Sequence, residues 1–174
     1  MTSVKTKVVK NHHIVVTKHG APNVLQMVEE PLPEPKAGEV RVRVLAAGIS
    51  AYDLMFRQSG WLPGTPKPPF TLGEDVVGVV DKLGEGIATS AELSGGVSPG
   101  QTVAAATFTL GLGGGYTEYL CLPASELVPV PAGVDPAEAV CVVVNYLTAH
   151  MAMHRTANVP RGERVLVHGA AGGV

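Results

Sequence analysis

The clearest element of the chain is a regular alternation of apolar and polar positions in the stretch EVRVRVLAA. Val40, Val42 and Val44 share one face of an extended segment, and Arg41 and Arg43 share the other. This period of two predicts a β-strand with one buried face and one wet face. Short apolar runs bounded by turn residues predict further strands at 14–17, 25–29, 71–80, 102–107 and 116–122, the first two forming a hairpin. The pattern therefore predicts a fold that is mainly β.

A short helix is expected after the strand at 39–47. Ser50 is followed three residues later by Asp53, which is a capping-box pair, and Gly60 supplies a stop. Asp53 and Arg57 are spaced i, i+4, so an exposed ion pair between them is one reading of these two residues. A role for them in a cleft is the other, and the sequence leaves both open.

A second, longer helix is predicted from residue 135 to about 155, with a break near Asn145. Its start combines a capping acid, a proline at the first position and an acid two residues after the proline: Asp135, Pro136 and Glu138. His150 and His154 share one face of this helix at a spacing that suits a metal. No third ligand is apparent, so a metal site is not predicted there.

The end of the chain, RVLVHGAAGGV, has the order of a strand that turns sharply towards a helix. The strand is predicted at 164–168, and the small residues that follow it are Gly169, Ala170, Ala171, Gly172 and Gly173. Such a turn lets backbone N–H groups approach a pyrophosphate, and a flexible tail is the alternative. The turn at 160–163, which delivers the strand, favours the first reading. The glycines at 111–115 are not followed by a helix, so a hairpin is favoured there over a phosphate cradle.

One acidic pair stands out, because Glu74 and Asp75 open the apolar strand predicted at 71–80, ahead of a turn predicted at 81–86. Buried carboxylates need a counter-charge or hydrogen bonds. No metal partner is found for them nearby in the sequence.

Composition excludes several classes of protein. The chain has 174 residues, of which 45% are hydrophobic and 16% charged, and its net charge is -2. It can bury an ordinary core, and neither nucleic acid nor an anionic membrane is an expected partner. Two cysteines do not make a disulfide framework, and the N-terminus lacks the apolar core of a signal peptide, so a cytoplasmic location is expected. The apolar region at 137–153 is interrupted by polar residues and predicts a buried helix rather than a membrane span.

Five segments in this order carry a family resemblance: LAAGISAYDLMFRQSGW, PPFTLGEDVVGVVDKLGEG, GGGYTEYL, VNYLTAH and RVLVHGAAGGV. Together they resemble the medium-chain dehydrogenase/reductase superfamily, specifically its zinc-independent quinone oxidoreductase branch. The resemblance implies a mainly β fold with α: a GroES-like β-barrel catalytic domain at 1–131, followed at 132–174 by a hinge helix and the truncated start of an NADPH-binding Rossmann domain. A strand at 164–168 would then have no sheet to join, so we expect 164–174 to be poorly ordered or docked on something non-native.

Departures from the zinc-dependent members bear on the chemistry. Those relatives place a cysteine at Ser50, a histidine at Glu74 and a cysteine around Val144, and a structural-zinc lobe interrupts the region 107–115. The resemblance therefore implies no metal. In zinc-dependent relatives an acid at the position of Asp53 braces the histidine ligand. Because Glu74 replaces that histidine here, Asp53 must pair with another group. The quinone reductases usually have asparagine at Ser50 and tyrosine at Trp61.

The resemblance also assigns roles in an NADPH-dependent reduction of a small quinone or α,β-unsaturated carbonyl substrate. Ser50 and Tyr52 would donate hydrogen bonds to the carbonyl oxygen, Asp53 would belong to the catalytic set, and Trp61 would wall the substrate pocket. Ser50 and Thr148 would contact the cofactor. The residues under its pyrophosphate would be Gly169, Ala170, Ala171, Gly172, Gly173 and Val174. A homodimer of the full-length form is a further expectation, and a non-catalytic GroES-like binding or assembly module is the alternative.

Overall fold

The computed structural model describes residues 9–60, 65–87, 96–107 and 114–174. Its strands are β1 (Lys10–Val16), β2 (Leu25–Pro31), β3 (Glu39–Ala47), β4 (Phe70–Thr71), β5 (Asp75–Leu83), β6 (Thr102–Ala106), β7 (Tyr119–Pro123) and β8 (Val128–Pro129). Its α-helices are α1 (Ala51–Gln58), α2 (Pro136–Cys141) and α3 (Leu147–His150). π-Helical turns follow α2 at Val142–Tyr146 and α3 at Met151–Thr156, and 3₁₀ turns lie at Pro22–Val24 and Ala124–Glu126. The prediction of a mainly β protein is confirmed.

The strands form two antiparallel sheets, in the orders β2-β1-β4 and β7-β3-β5-β6-β8. Strands β1 and β2 make the predicted hairpin. The sheets are joined where β1 meets the segment before β7, since the Ile14 N–H donates to the Tyr116 carbonyl at 2.9 Å and the Asn11 amide donates to the Tyr119 carbonyl at 3.0 Å. This junction brings Tyr116 beside the first sheet.

The alternation in β3 builds the main core. Val40 and Val42 are completely buried, whereas Arg43 on the opposite face is exposed and Arg41 pairs with Asp81 at 2.6 Å. Burial of each such valine contributes on the order of 1.5–3 kcal/mol. The residues buried with them are Val76, Val80, Val97, Val103, Ala105, Leu122 and Leu127.

Several strand boundaries differ from the prediction, and in the first hairpin β1 covers Lys10–Val16 rather than 14–17 and β2 ends at Pro31 rather than at 29. Strand β5 begins at Asp75 and continues to Leu83, so the turn predicted at 81–86 is wrong in its first half. Pairing with β3 explains the extension, because Leu83 lies opposite Val40 and Lys82 opposite Arg41. Strand β7 begins at Tyr119 rather than at 116, because the backbone at 115 and 116 bonds instead to the segment before β5.

The long helix predicted at 135–155 is confirmed as an almost continuous helical segment, with a π-helical turn where the break was predicted. The burial predicted for 137–153 is wrong beyond Val140, because among the described residues only α2 buries side chains of this segment, whereas Tyr146 and Leu147 are exposed. Asp135 caps it by accepting from the N–H groups of Ala137 at 2.8 Å and Glu138 at 3.3 Å. Ala139 and Val140 bury one side of α2 against Val77 of β5. Thus α2 lies on the outer face of the five-stranded sheet. None of the described helices is both long and apolar enough to cross a membrane.

The glycine-rich end of the chain lies outside both sheets. The strand predicted at 164–168 does not form, and every residue from 164 to 174 is exposed. A lone apolar run has no neighbouring strand to supply its hydrogen bonds, which is the physical reason for this difference. A turn forms instead, in which the Gly172 N–H donates to the Gly169 carbonyl at 2.8 Å. No packed sheet forms here, in line with the expectation stated for this segment.

Candidate active site

The start of α1 organises the candidate site. The Ser50 hydroxyl oxygen accepts from the N–H groups of Tyr52 at 3.1 Å and Asp53 at 3.3 Å. In return, Asp53 Oδ2 accepts from the Ser50 N–H at 2.8 Å. The predicted capping box is therefore confirmed. It fixes both side chains at one end of the helix.

Asp53 is buried, with 3% of its surface exposed, and it accepts hydrogen bonds from three directions. Besides the Ser50 N–H, the Gly73 N–H donates to Oδ1 at 2.8 Å and the Tyr116 hydroxyl donates to Oδ2 at 3.0 Å. In the described part of the chain Asp53 forms no ion pair with Arg57, so the first reading of that spacing is wrong. Arg57 is itself buried and donates to the Gly20 carbonyl instead.

Glu74 joins this group through its contact with Ser50, whose hydroxyl donates to Glu74 Oε2 at 2.6 Å. We call Ser50, Asp53, Glu74 and Tyr116 the acid–hydroxyl cluster. Glu74 is 5% exposed, whereas Ser50 is only half-buried. The backbone carbonyl of Glu74 is also held, by the Thr107 N–H at 2.7 Å.

Burial and mutual repulsion shape the protonation of this site. Burial raises the pKa of Glu74, and the nearby charges of Asp53 and Asp75 raise it further, against the hydrogen bond from Ser50, which lowers it. Burial likewise raises the pKa of Asp75. Burial and then Asp53 raise the pKa of the Tyr116 hydroxyl far above its usual value, so Tyr116 stays a donor.

Close backbone contact positions Tyr116. The Tyr116 N–H donates to the Leu72 carbonyl and the Gly115 N–H to the Gly73 carbonyl, both at 2.9 Å. Gly73 has φ +102°, and a Cβ there would lie 2.7 Å from the Gly115 nitrogen; a Cβ on Gly114 would lie 1.7 Å from the Leu72 carbonyl oxygen. Only glycines allow this approach. Gly114 and Gly115 thus serve backbone packing, whereas Gly111 and Gly113 lie outside the described residues. The hairpin predicted there is wrong, because β6 pairs with β5 and β8, and β7 pairs with β3.

Of the other predicted site residues that the structure describes, Tyr52 meets the cluster through its backbone N–H, whereas Thr148 and 169–174 lie on exposed parts of the chain. Tyr52 is half exposed, with its ring centroid 5.9 Å from that of Phe56, and Trp61 lies outside the described residues. Thr148 is exposed on α3, and no hydrogen bond among the described residues links it to Ser50. The glycine-rich residues 169–174 are exposed as well.

Sequence reasoning missed the two contacts that close the cluster. The acidic pair did mark Glu74, but nothing local connected it to Ser50, which lies 24 positions earlier. Tyr116 lies 63 positions after Asp53 and carried no signal. Over the described ranges, no group of three or more His, Cys, Asp and Glu side chains has the placement to hold a metal ion.

Comparison with known proteins now gives the family. Residues 36–132 match the alcohol dehydrogenase GroES-like domain. The chain belongs to this family. The matched range contains the whole acid–hydroxyl cluster, and the relatives of this GroES-like chain confirm the medium-chain dehydrogenase/reductase resemblance.

Similar curated proteins include a synaptic vesicle membrane protein VAT-1 homolog-like from Homo sapiens, 32% identical over 161 residues, and a quinone oxidoreductase from Sus scrofa, 34% identical over 163 residues. Each alignment covers 92% of this chain, but only 36% and 46% of the respective relative. The chain therefore spans less than half the length of these relatives.

Solved structures of similar proteins have the same fold as this chain. The human VAT-1 homolog-like protein superposes with a TM-score of 0.84 at 30% identity, covering 95% of this chain and 50% of that one. A mycobacterial protein solved in complex with NADPH superposes with a TM-score of 0.78 at 37% identity, covering 92% of this chain and 46% of that one. A quinone oxidoreductase of Pseudomonas syringae superposes with a TM-score of 0.79 at 31% identity, covering 94% of this chain and 46% of that one. The predicted GroES-like fold is confirmed.

Proposed function

We propose that this chain is the catalytic half of an NADPH-dependent, zinc-independent oxidoreductase that reduces a quinone or an α,β-unsaturated carbonyl compound. The observation that carries the proposal is the acid–hydroxyl cluster, a set of linked hydrogen bonds in which Ser50 and Glu74 stand at positions of metal ligands in zinc-dependent members. In this proposal residues 1–131 are the catalytic domain, and 132–174 are the hinge helix and the start of the nucleotide-binding domain.

Zinc independence is supported by the donor set. A serine hydroxyl is not among the usual zinc ligands in proteins, which are thiolate, imidazole and carboxylate. The carboxylates of Asp53 and Glu74 are already engaged by N–H and O–H donors within the cluster. Charge that develops on a substrate oxygen must then be met by hydrogen bonds from protein groups or water.

Ser50 and Tyr52 are the proposed donors to that oxygen. Ser50 is half-buried, and Tyr52 is half exposed at the second position of α1, so both can meet a ligand from the solvent side. Asp53 holds the Ser50 backbone in place by accepting its N–H at 2.8 Å. Trp61 completes the proposed set as a wall of the substrate pocket.

NADPH, when bound, supplies the hydride that reduces the substrate carbon, and a proton from solvent completes the product. Placement of the pyrophosphate against 169–174 is supported by the five residues 169–173, which are all glycine or alanine and are exposed. Thr148, exposed on α3, and Ser50 are the proposed contacts on the nicotinamide side. A homodimer of the longer protein is part of the same proposal.

Isothermal calorimetry with NADPH tests the proposal on this chain. We expect binding that is weakened by Thr148→Val and unaffected by Thr156→Val, a matched change at another exposed position of the same helical segment. Oxidation of NADPH in the presence of cyclohex-2-enone then tests turnover. Failure of NADPH to bind would favour the non-catalytic GroES-like module, and equal effects of the two valine variants would remove Thr148 from the site.

A further inference from the structure

The hydrogen-bonding capacity of the Ser50 hydroxyl is fully used. A serine hydroxyl has one proton and two lone pairs. Its oxygen accepts from the N–H groups of Tyr52 and Asp53, and its proton is donated to Glu74 Oε2 at 2.6 Å. In this arrangement Ser50 has no proton left for a ligand. A donor to a substrate carbonyl oxygen therefore requires a second arrangement of the same atoms.

Protonation of Glu74 creates that arrangement. A protonated carboxyl is a donor as well as an acceptor, so the proton on Glu74 can be given to Ser50 Oγ. The 3.3 Å contact from the Asp53 N–H is the weaker of the two bonds that Ser50 accepts, and it is the one that yields. The Ser50 proton is then released from Glu74 and can turn towards the exposed side.

We propose that Glu74 is a positioning residue whose protonated form frees the Ser50 hydroxyl to donate to the carbonyl oxygen of a bound ligand. The inference rests on the proposed function, since it concerns the same site and the same class of carbonyl substrate. Glu74 acts through Ser50 and does not itself touch the ligand. Glu74 takes its proton from solvent, and the rearrangement that follows moves only hydrogen bonds.

The surroundings of Glu74 keep it protonated to a higher pH than an exposed glutamate. The groups facing it are Ser50 and Asp53 from the start of α1, Asp75 from β5, Thr107 after β6 and Tyr116 before β7. Among the described residues, none of the groups that act on this carboxyl is a cation. Burial beside two acids therefore shifts the equilibrium of this carboxyl towards its neutral form.

Nuclear magnetic resonance on the chain as it stands provides the first test. With carbon-13 in the glutamate carboxyls, we expect Glu74 to titrate above the ordinary glutamate range. The amide protons of Tyr52 and Asp53 should titrate with the same midpoint, because both bond to Ser50 Oγ. Glu74→Gln, whose amide is a permanent donor, should abolish the amide titration. Asp75→Asn should keep it at a lower midpoint, since Asp75 raises the pKa of Glu74 without bonding to Ser50.

Binding of cyclohex-2-enone, followed by NMR titration of the same chain, provides the second test. We expect affinity to fall by about fivefold as pH rises through the Glu74 midpoint, the equivalent of one neutral hydrogen bond. Glu74→Gln should bind at the acidic-limit affinity at every pH, and Ser50→Ala should bind weakly at every pH.

The outcomes separate the inference from the proposed function. Amide protons that do not follow Glu74, or an enone affinity that is flat with pH in the wild type, would overturn the inference. If the amide protons follow Glu74 but no enone binds at any pH, the coupling between Glu74 and Ser50 stands and the proposed substrate class fails.

Discussion

Asp53→Asn tests whether the three hydrogen bonds to this carboxylate hold the site together. An asparagine keeps the shape of the side chain but has only one acceptor oxygen. If that oxygen takes the Oδ2 position, it keeps the bonds from Ser50 and Tyr116, and its NH₂ group faces the Gly73 N–H, which is 2.8 Å from Oδ1. Two buried donors then oppose each other.

The expected cost follows from these contacts. Loss of one hydrogen bond to a charged group costs roughly 1.5–3 kcal/mol, and an unsatisfied buried N–H costs about 1–3 kcal/mol. Removal of a negative charge beside Glu74 and Asp75 offsets part of this, because Asp53 repels both. We therefore expect a net loss of about 2–3 kcal/mol in the free energy of unfolding, measured by urea titration with circular dichroism.

Asp135→Asn is the matched control. Asp135 also caps a helix by accepting from two N–H groups, but its environment is exposed. Asparagine and aspartate are about equal as exposed caps, so this variant should lose less than about 0.5 kcal/mol. Equal losses of unfolding free energy for the two variants would refute the reasoning, because burial would then add nothing to the cost of disturbing these hydrogen bonds.

Three further predictions concern a glycine, an acid and a thiol. Gly73→Ala should cost more stability in urea titration than Gly38→Ala, since both have positive φ but only Gly73 would clash with backbone; the left-handed strain alone is about 1–2 kcal/mol. Burial raises the pKa of Asp75, so above about pH 4 the folded protein holds a proton that the unfolded chain has lost. The contribution of Asp75 to stability is therefore complete in acid and is lost as pH rises through the raised pKa. Asp75→Asn should flatten the fall in the free energy of unfolding between about pH 4 and 8. Burial raises the pKa of the Cys121 thiol to about 11, so mass spectrometry should show slower alkylation at pH 8 for Cys121 than for the exposed Cys141, and equal rates would contradict this.

Local patterns predicted much of the fold and one half of the site. The capping box of Ser50 and Asp53 and the start of the long helix at Asp135 depend on residues within four positions of each other, so spacing alone predicted them. The bond from Ser50 to Glu74 and the bond from Tyr116 to Asp53 depend on how β-strands distant in sequence are brought together. No periodicity encodes that.

The prediction of an ion pair between Asp53 and Arg57 was wrong for a related reason. Spacing of i, i+4 brings Asp53 and Arg57 to neighbouring positions on a helix surface, but it does not say whether that surface is exposed. Both residues are buried, and buried polar groups take the nearest backbone partner, here the Gly73 N–H and the Gly20 carbonyl. The strand at 164–168 failed for the opposite reason, because a correct local pattern had no tertiary partner.

The Gly73 carbonyl has a consequence for how this fold can change its length. It accepts from the Thr107 hydroxyl at 2.5 Å and from the Gly115 N–H at 2.9 Å, so the chain leaves and returns at one point. Doubling the length of a flexible loop between fixed ends costs only about 0.6 kcal/mol. We therefore expect residues inserted between these anchors, where the family resemblance places the extra lobe of zinc-dependent relatives, to leave Tyr116 in place. The length of this segment and the geometry of the acid–hydroxyl cluster are therefore independent of each other.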